Sequence, residues 1–186
     1  SHEELVSGFE EALKVEGFVT MQHFKERLKR GKEMLSAFYA REEKNNIIPA
    51  AIEQAFSFMV DNNRINGRWD RIDRNGDEVA IIDFKSSNEQ DQKEADKKAK
   101  KSLQLSVYAY AYKQIGGIIP EKVQLYFLES GLIGSAEKDE DDFHELLAHI
   151  QHVSAGIRLQ KFEATPTYSG CMNCAFNQIC PYAAYK

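Results

Sequence analysis

The segment "RINGRWDRIDRNGDEVAIIDFKSS", residues 64–87, has the pattern from which the fold of this chain is predicted. It contains two runs of alternating apolar residues joined at Asn75-Gly76, a dipeptide that favours a type I′ hairpin turn because both of its loop residues need positive φ. We therefore predict an antiparallel hairpin with these two residues as its loop. The second run, "VAII", ends on Asp83, a phenylalanine and Lys85.

This turn would fix the register of the hairpin. It would pair Arg74 with Asp77, Ile72 with Val79, and Asp70 with Ile81. Side chains alternate between the two faces of a strand, so one set of residues shares a face: Asp70, Ile72, Val79, Ile81, Asp83 and Lys85. Three polar groups, those of Asp70, Asp83 and Lys85, are therefore expected at one end of a face whose middle is apolar.

The rest of the chain alternates between helical and strand patterns. Apolar residues at helical spacing predict helices over 3–15 and 20–43, and a strand is expected after Pro49. The polar segment 86–102 is expected to be a mobile loop. A helix then ends at Gly116-Gly117, two strands follow, and a helix capped by Asp141 or Asp142 precedes the tail. This order predicts an α/β fold with a central mixed sheet flanked by helices.

Length and composition narrow the class of protein. The 186 residues suffice for one domain, with 42% hydrophobic and 28% charged residues, and no apolar run approaches a membrane span. The net charge of −5 argues against binding nucleic acid by charge alone. Three cysteines, all between 171 and 180, indicate no disulfide framework and favour a reducing, cytoplasmic setting.

Two carboxylates and a lysine at the strand ends have a specific chemical use. Asp70 and Asp83 would share a hard cation such as Mg²⁺, which prefers oxygen ligands. Such a metal lowers the pKa of bound water and stabilises the charge that develops on a phosphate. Lys85 would orient the water or the phosphate. The alternative interpretation is a surface ion pair between Asp83 and Lys85, which contributes little energy.

The motifs "GRWDRID", "AIIDFKSS" and "QLSVYAYAY" resemble, in this order, those of the PD-(D/E)xK nuclease superfamily, and specifically its RecB-like branch. That branch includes nuclease domains of bacterial helicase-nucleases of the RecB and AddB types and the CRISPR-adaptation exonucleases. The resemblance covers residues 45–115 and the cysteine tail. It implies a restriction-endonuclease-like core.

The resemblance also implies roles for individual residues. Asp70, Asp83 and the backbone carbonyl of Phe84 would hold Mg²⁺ or Mn²⁺, and Lys85 would be the catalytic lysine.

Further residues match less central positions of the family. Gln104 and Tyr108 match a Q-x-x-x-Y helix, whose spacing places both on one helical face, where they would contact the substrate or brace the site. Ordinary core packing is the alternative for Tyr108. Glu53 matches an acidic position on the strand before the hairpin, and we include it among the candidate catalytic residues.

The chain departs from the family's pattern at an upstream histidine that gives the metal a further ligand. The candidates are His2, beside the first serine, and His23, in an amphipathic helix. We expect neither to serve, and we interpret the chain as a fragment of a longer protein without that segment.

The cysteines raise the same question. Cys171, Cys174 and Cys180 have the C-x₂-C-x₅-C spacing that closes an iron-sulfur site in some RecB-like nucleases. A [4Fe-4S] cluster generally needs four thiolates. We therefore expect a cluster only in the full-length protein, with a vestigial site, or a zinc site completed by a histidine, as alternatives.

Together these observations predict a single nuclease domain over 1–186. Its parts are N-terminal helices (1–45), a catalytic core (46–135), a helix (136–165) and the cysteine tail (166–186). The predicted activity is a Mg²⁺- or Mn²⁺-dependent deoxyribonuclease, an exonuclease acting on DNA ends in recombination and repair. Its partners would be single-stranded DNA ends and a helicase, in the same polypeptide or another subunit. The alternatives are a stand-alone exonuclease of the CRISPR-adaptation type and a non-catalytic DNA-binding module.

Overall fold

The computed structural model describes residues 1–45 and 47–184. Position 46, where the predicted catalytic core begins, lies outside the described residues. The helices are α1 (His2–Ala12), α2 (Met21–Asn45), α3 (Gln92–Lys101), α4 (Leu103–Gly116), α5 (Glu140–Arg158) and α6 (Tyr168–Met172). The strands are β1 (Ala51–Val60), β2 (Asn63–Asn75), β3 (Glu78–Lys85), β4 (Lys122–Phe127) and β5 (Ile133–Ala136).

The strands form one mixed sheet in the order β1-β2-β3-β4-β5. Strands β3 and β4 are parallel, and the other neighbouring pairs are antiparallel. The parallel pair is joined by a crossover that contains α3 and α4, as parallel strands require. The predicted α/β fold with helices around a mixed sheet is therefore confirmed.

Aromatic contacts hold α2 and α4 to the sheet. Phe38 of α2 contacts Phe84 of β3 and Tyr126 of β4, with ring centroids 5.7 and 5.6 Å apart. On α4, the Tyr108 carbonyl accepts a hydrogen bond of 3.1 Å from Nε1 of Trp69, a residue of β2 that is 3% exposed. The carboxyl end of β3 is thus fixed between α2, which precedes it in the sequence, and α4, which follows it.

The hairpin turn differs from the predicted one. Asn75 pairs with Glu78 within the strands, so the two loop residues are Gly76 and Asp77. Gly76 alone of these two has positive φ, at +61°, which is the requirement of a type II′ turn rather than type I′.

The predicted register is accordingly wrong by two residues. Arg74 pairs with Val79 and Ile72 pairs with Ile81. Because the side-chain period is two, a shift of two residues does not by itself change the face on which a residue lies. It also has a consequence for the polar end, since continuing the register brings Asp70 opposite Asp83 rather than Ile81.

The prediction of a mobile loop over 86–102 is wrong, because most of this segment forms α3. Ala95 and Ala99, four residues apart, are both 0% exposed, and they form a narrow apolar stripe. Asp91 caps the helix by accepting a hydrogen bond of 2.9 Å from the backbone N–H of Glu94. Two alanines in a polar run are a weak apolar signal, which explains why the helix is not evident from the sequence.

The predicted ends of the two long C-terminal helices are partly confirmed. Helix α4 ends as expected, with Gly117 in the left-handed conformation at φ +76°. The N-terminal cap of α5 is Asp139, not Asp141 or Asp142. Its Oδ1 accepts hydrogen bonds of 3.0 and 3.1 Å from the backbone N–H groups of those two residues, because it precedes the first helical turn.

The described chain divides into two compact units, Ser1–Leu147 and Ala148–Lys186. The first contains the sheet with α1 to α4, and the second contains the end of α5 and α6. The single domain expected over 1–186 stays a prediction. Among the described residues, no helix has the length and apolar character needed to cross a membrane.

Packing of α3 on β5 gives a test of this fold. A Cβ atom on Gly134 would lie 2.1 Å from the backbone carbonyl oxygen of Ala95, so Gly134→Ala forces the helix away from the strand. We expect a loss of about 1–3 kcal/mol of stability, measured as a lower Tm of roughly 2–4 °C per kcal/mol. Gly8→Ala is the control, since no atom lies within 4 Å of its Cβ. Equal Tm values for the two variants would contradict the packing described.

Candidate active site

Asp83 is the central side chain of the polar group at the end of β3. It lies on the same face as Val79 and Ile81, and only 2% of it is exposed. Gln104 Nε2 donates a hydrogen bond of 2.6 Å to its Oδ1. Lys85 Nζ lies 2.6 Å from its Oδ2, but without hydrogen-bond alignment, so Oδ2 has no hydrogen-bond donor among the described residues.

Helix α4 supplies the groups that hold Asp83 and Lys85. Gln104 Oε1 accepts a hydrogen bond of 2.9 Å from Lys85 Nζ, and its Nε2 also lies 3.0 Å from Tyr108 Oη as a donor. The helix starts at this point because Ser102 caps it by accepting from the N–H of Leu105. The amide of Gln104 therefore bridges the carboxylate and the ammonium, and Tyr108 contacts the same amide from one turn further along.

Asp70 reaches the same end of the sheet from β2. Its Oδ2 accepts a hydrogen bond of 2.9 Å from the backbone N–H of Phe84, the residue between Asp83 and Lys85. The paired ladder of β2 and β3 stops just before this point. The side chain of Asp70 thus accepts a hydrogen bond from the β3 backbone where the ladder has ended, and it brings a second carboxylate beside Asp83.

Strand β2 changes the face of its side chains at Asp70. Trp69 contacts α4, whereas Arg71 forms an ion pair with Glu42 of α2. Residues two apart share one face in a regular strand, so the backbone is kinked between them. Glu53 of β1, opposite Asp70 by register, has φ +51°, a conformation uncommon for residues other than glycine. Backbone strain of this kind clusters at functional sites.

The electrostatics of the site favour neutral groups. Burial raises the pKa of Asp83 above its ordinary value, and the neighbouring charge of Asp70 adds to this, although Lys85 acts in the opposite direction. Burial also raises the pKa of Tyr108, against the effect of its hydrogen bond with Gln104. A cation bound between the carboxylates would favour their ionised forms.

Comparison with known proteins identifies the family. The sequence profile of the PD-(D/E)XK nuclease superfamily matches residues 1–181. This chain belongs to the PD-(D/E)XK nuclease superfamily. Membership indicates a nuclease, a hydrolase that acts on nucleic acids. The crystal structure of SSO0001 is similar to this chain at 18% sequence identity and a TM-score of 0.49, over 97% of this chain and 80% of the other. No curated protein matches at a significant level.

PD-(D/E)XK nucleases typically use divalent metals, and the residues present fit such an ion. Mg²⁺ is usually bound through one or two carboxylates and keeps several waters. Asp70 and Asp83 supply two carboxylates, and the buried Oδ2 of Asp83 has no hydrogen-bond donor among the described residues. Those residues contain no group of three or more His, Cys, Asp or Glu side chains placed together for a metal. The role of the Phe84 carbonyl as a ligand stays a prediction.

Neither candidate histidine lies with the carboxylates of this PD-(D/E)XK site. His2 Nε2 is 2.8 Å from Ser36 Oγ on α2. His23 accepts a hydrogen bond of 3.2 Å from Arg27 Nε within α2. Both rings therefore contact the N-terminal helices, and the expectation that neither is the family's upstream ligand stays a prediction.

Glu53 is opposite Asp70 in the sheet, but its side chain is exposed and lies 3.2 Å from Arg68. Its catalytic role stays a prediction. The sequence analysis missed Arg71, which is 7% exposed and forms ion pairs with Glu42 and, at 2.7 Å, with Asp73. Burial lowers its pKa, but the two carboxylates outweigh burial and leave the pKa raised. An arginine within an otherwise apolar strand is the signal, because a buried charge requires partners.

The cysteines belong to the second compact unit. Within the described residues, Cys171, Cys174 and Cys180 form no disulfide and no part of a metal-ligand group. The predicted iron-sulfur site, and its zinc and vestigial alternatives, stay predictions.

The raised pKa of Asp83 leads to a test by pH. Between the ordinary carboxyl pKa, about 3.9, and the raised value, the folded state binds more protons than the unfolded state, so stability falls as pH rises through this window. Asp83→Asn cannot ionise. In the presence of a chelator, we expect it to be at least as stable as the parent at pH 7 and to lose this part of the pH dependence.

Thermal unfolding between pH 4 and pH 7 measures the effect. Asp77→Asn, at an exposed residue of the hairpin loop, controls for the loss of a carboxylate. A lower Tm for Asp83→Asn than for the parent at pH 7 would contradict the view that ionised Asp83 destabilises the metal-free fold.

Proposed function

We propose that this chain is the catalytic domain of a Mg²⁺- or Mn²⁺-dependent deoxyribonuclease. The observation that carries the proposal is the buried carboxylate of Asp83, with an oxygen that has no hydrogen-bond donor among the described residues, beside Asp70 and Lys85. The Lys85 ammonium, 2.6 Å from that oxygen, offsets part of its charge, but burial still raises the pKa of Asp83. Such an arrangement is expected where a cation completes the site.

In the proposed reaction a water oxygen attacks the phosphorus in line, and the ester P–O bond on the opposite side breaks. A bound divalent ion would be held by Asp70 and Asp83, and it would make the water more acidic and offset the phosphate charge. Lys85, whose side chain is 33% exposed, would contact a non-bridging phosphate oxygen and stabilise its developing negative charge. It would then give up its contact with Asp83.

Gln104 and Tyr108 are positioning residues in this proposal. Gln104 contacts both Asp83 and Lys85, at 2.6 and 2.9 Å. Because one amide bonds to both groups, it fixes the distance between the carboxylate and the ammonium before substrate arrives. Such preorganisation lowers the reorganisation needed in the transition state.

We infer DNA ends as the substrate, in recombination and repair, with a helicase as the partner. The support is the resemblance of the three motifs to RecB- and AddB-type nuclease domains. Contacts to the phosphate backbone carry no base information, so we expect no strong sequence specificity. The same site would serve a stand-alone exonuclease of the CRISPR-adaptation type, and digestion of free DNA ends without a helicase would favour that alternative.

The direct test is digestion of end-labelled single-stranded and duplex DNA with Mg²⁺ or Mn²⁺. We expect cleavage by the parent chain, none with a chelator, and a loss of roughly 10²–10³-fold or more in Lys85→Ala, by analogy with removal of a single transition-state-stabilising donor. Asp83→Asn and Asp70→Asn should fall to background.

Lys97→Ala is the matched lysine control, since Lys97 is exposed on α3 and forms a surface ion pair with Glu94 at 3.1 Å. An RNA strand of the same sequence tests the choice of nucleic acid. Full activity in Asp83→Asn would contradict the proposed site. Binding of DNA with no cleavage by the parent would favour the non-catalytic module.

A further inference from the structure

A second concave feature has in its lining Ser86, the residue that follows Lys85. It is a pocket of about 270 Å³ between α1, α2 and the residues that follow β3. Its apolar lining consists of half-buried side chains from the N-terminal helices, namely Phe9, Leu13, Phe18 and Met34. Its polar lining includes Arg27 and Ser86. These residues take no part in the proposed hydrolysis.

The pocket depends on close packing between α1 and α2. Gly31 is the buried residue of α2, and a Cβ atom placed there would lie 2.2 Å from Cζ of the Phe9 ring. The tip of the ring therefore lies against the backbone of α2, and the ring forms part of the pocket wall. Phe18 supplies a second ring, which contacts His23 and Phe24 edge-on with centroids 5.4 and 5.3 Å apart.

The position of the pocket relates it to the reaction. Ser86, in its lining, follows Lys85 directly. The backbone carbonyl of Lys85 accepts from Leu128, and Glu129, the next residue after Leu128, also lines the pocket. A strand of nucleic acid with one phosphate at Asp83 and Lys85 would thus have a neighbouring nucleotide within reach of this opening.

The charges at the rim match a nucleotide. Arg27 is exposed, and its Nε donates to the ring nitrogen of His23 at 3.2 Å, a contact that does not neutralise the guanidinium. Arg30, on the same helix, forms an ion pair with Glu129 across the rim. An aromatic interior beside a free guanidinium offers stacking for a base and a positive charge for its phosphate.

We propose that this pocket binds one unstacked base of a single-stranded substrate, in a nucleotide that flanks the scissile phosphate. This inference rests on the proposed nuclease function. A base inside a duplex is stacked and paired, and entering the pocket would require breaking both interactions. The pocket therefore selects single-stranded ends, and it does so through the base rather than through the phosphate backbone.

Binding without metal tests the pocket independently of cleavage. The probe is a fluorescent single-stranded oligonucleotide, compared in a chelator with an abasic oligonucleotide of equal length and charge. We expect the parent to bind the base-containing strand roughly 5- to 100-fold more tightly, the range typical of stacking on aromatic side chains. Phe9→Ala and Phe18→Ala should remove this difference and leave the affinity for the abasic strand unchanged.

Two further variants test the same prediction if replacement of a phenylalanine by alanine disturbs folding. Phe18→Leu retains apolar volume but not the aromatic face, and it should reduce the preference for the base-containing strand at an unchanged Tm. Gly31→Ala should do so by displacing the Phe9 ring. Phe162→Ala, a residue 73% exposed that does not line the pocket, is the control and should behave as the parent.

Cleavage then separates this inference from the proposed function. With Mn²⁺, a single abasic nucleotide is moved along the labelled strand, and we expect cleavage to fall only when it flanks the scissile bond. Base-dependent binding without any cleavage would contradict the proposed nuclease function but support base binding by the pocket. If neither cleavage nor binding depends on the base, the proposed base binding by the pocket is wrong, while the nuclease function is supported. Loss of affinity for both strands in Phe18→Leu would also overturn it.

Discussion

The site depends on one constraint, the burial of the Asp83 carboxylate at the carboxyl end of β3. A carboxylate that is 2% exposed is stable in a protein only when other groups offset its charge. Here Lys85 lies 2.6 Å away, and Gln104 donates to the other oxygen. One oxygen is still without a hydrogen-bond donor within the described chain. Burial therefore works against the ionised form of Asp83, and a divalent cation would favour that form.

The sheet is distorted where the second carboxylate joins the first. Asp70 accepts from the backbone of Phe84, which is possible because the β2–β3 ladder ends there and β2 changes face. The strained backbone of Glu53 lies at the same point of β1. Arg71, buried and bonded to Glu42 and Asp73, ties the strand beyond the kink to α2. We interpret these three features as the support that holds two like charges together without substrate.

The sequence predicts the residues of the site better than their geometry. Alternation along the hairpin assigns Asp70, Asp83 and Lys85 to one face. The predicted register is wrong by two residues, but a shift by an even number of residues does not change this assignment. The shift depends on whether Gly76 is the first or second loop residue, which composition does not determine. Helix α3 is not predicted from the sequence because its apolar face consists of only two alanines. The pocket of Phe9 and Phe18 is invisible in the sequence, since it arises from the approach of α1 to Gly31, a tertiary contact.

Calorimetric titration of the chain with Mn²⁺ shows whether the buried pair of carboxylates is a cation site, without requiring catalysis. We expect saturable binding in the parent that is lost in Asp83→Asn and in Asp70→Asn and retained in Glu53→Gln if that exposed residue is not a ligand. We also expect proton release that increases toward lower pH, since a ligand must be deprotonated to bind. Equal Mn²⁺ binding by the parent and Asp83→Asn would mean that Asp83 does not hold the cation.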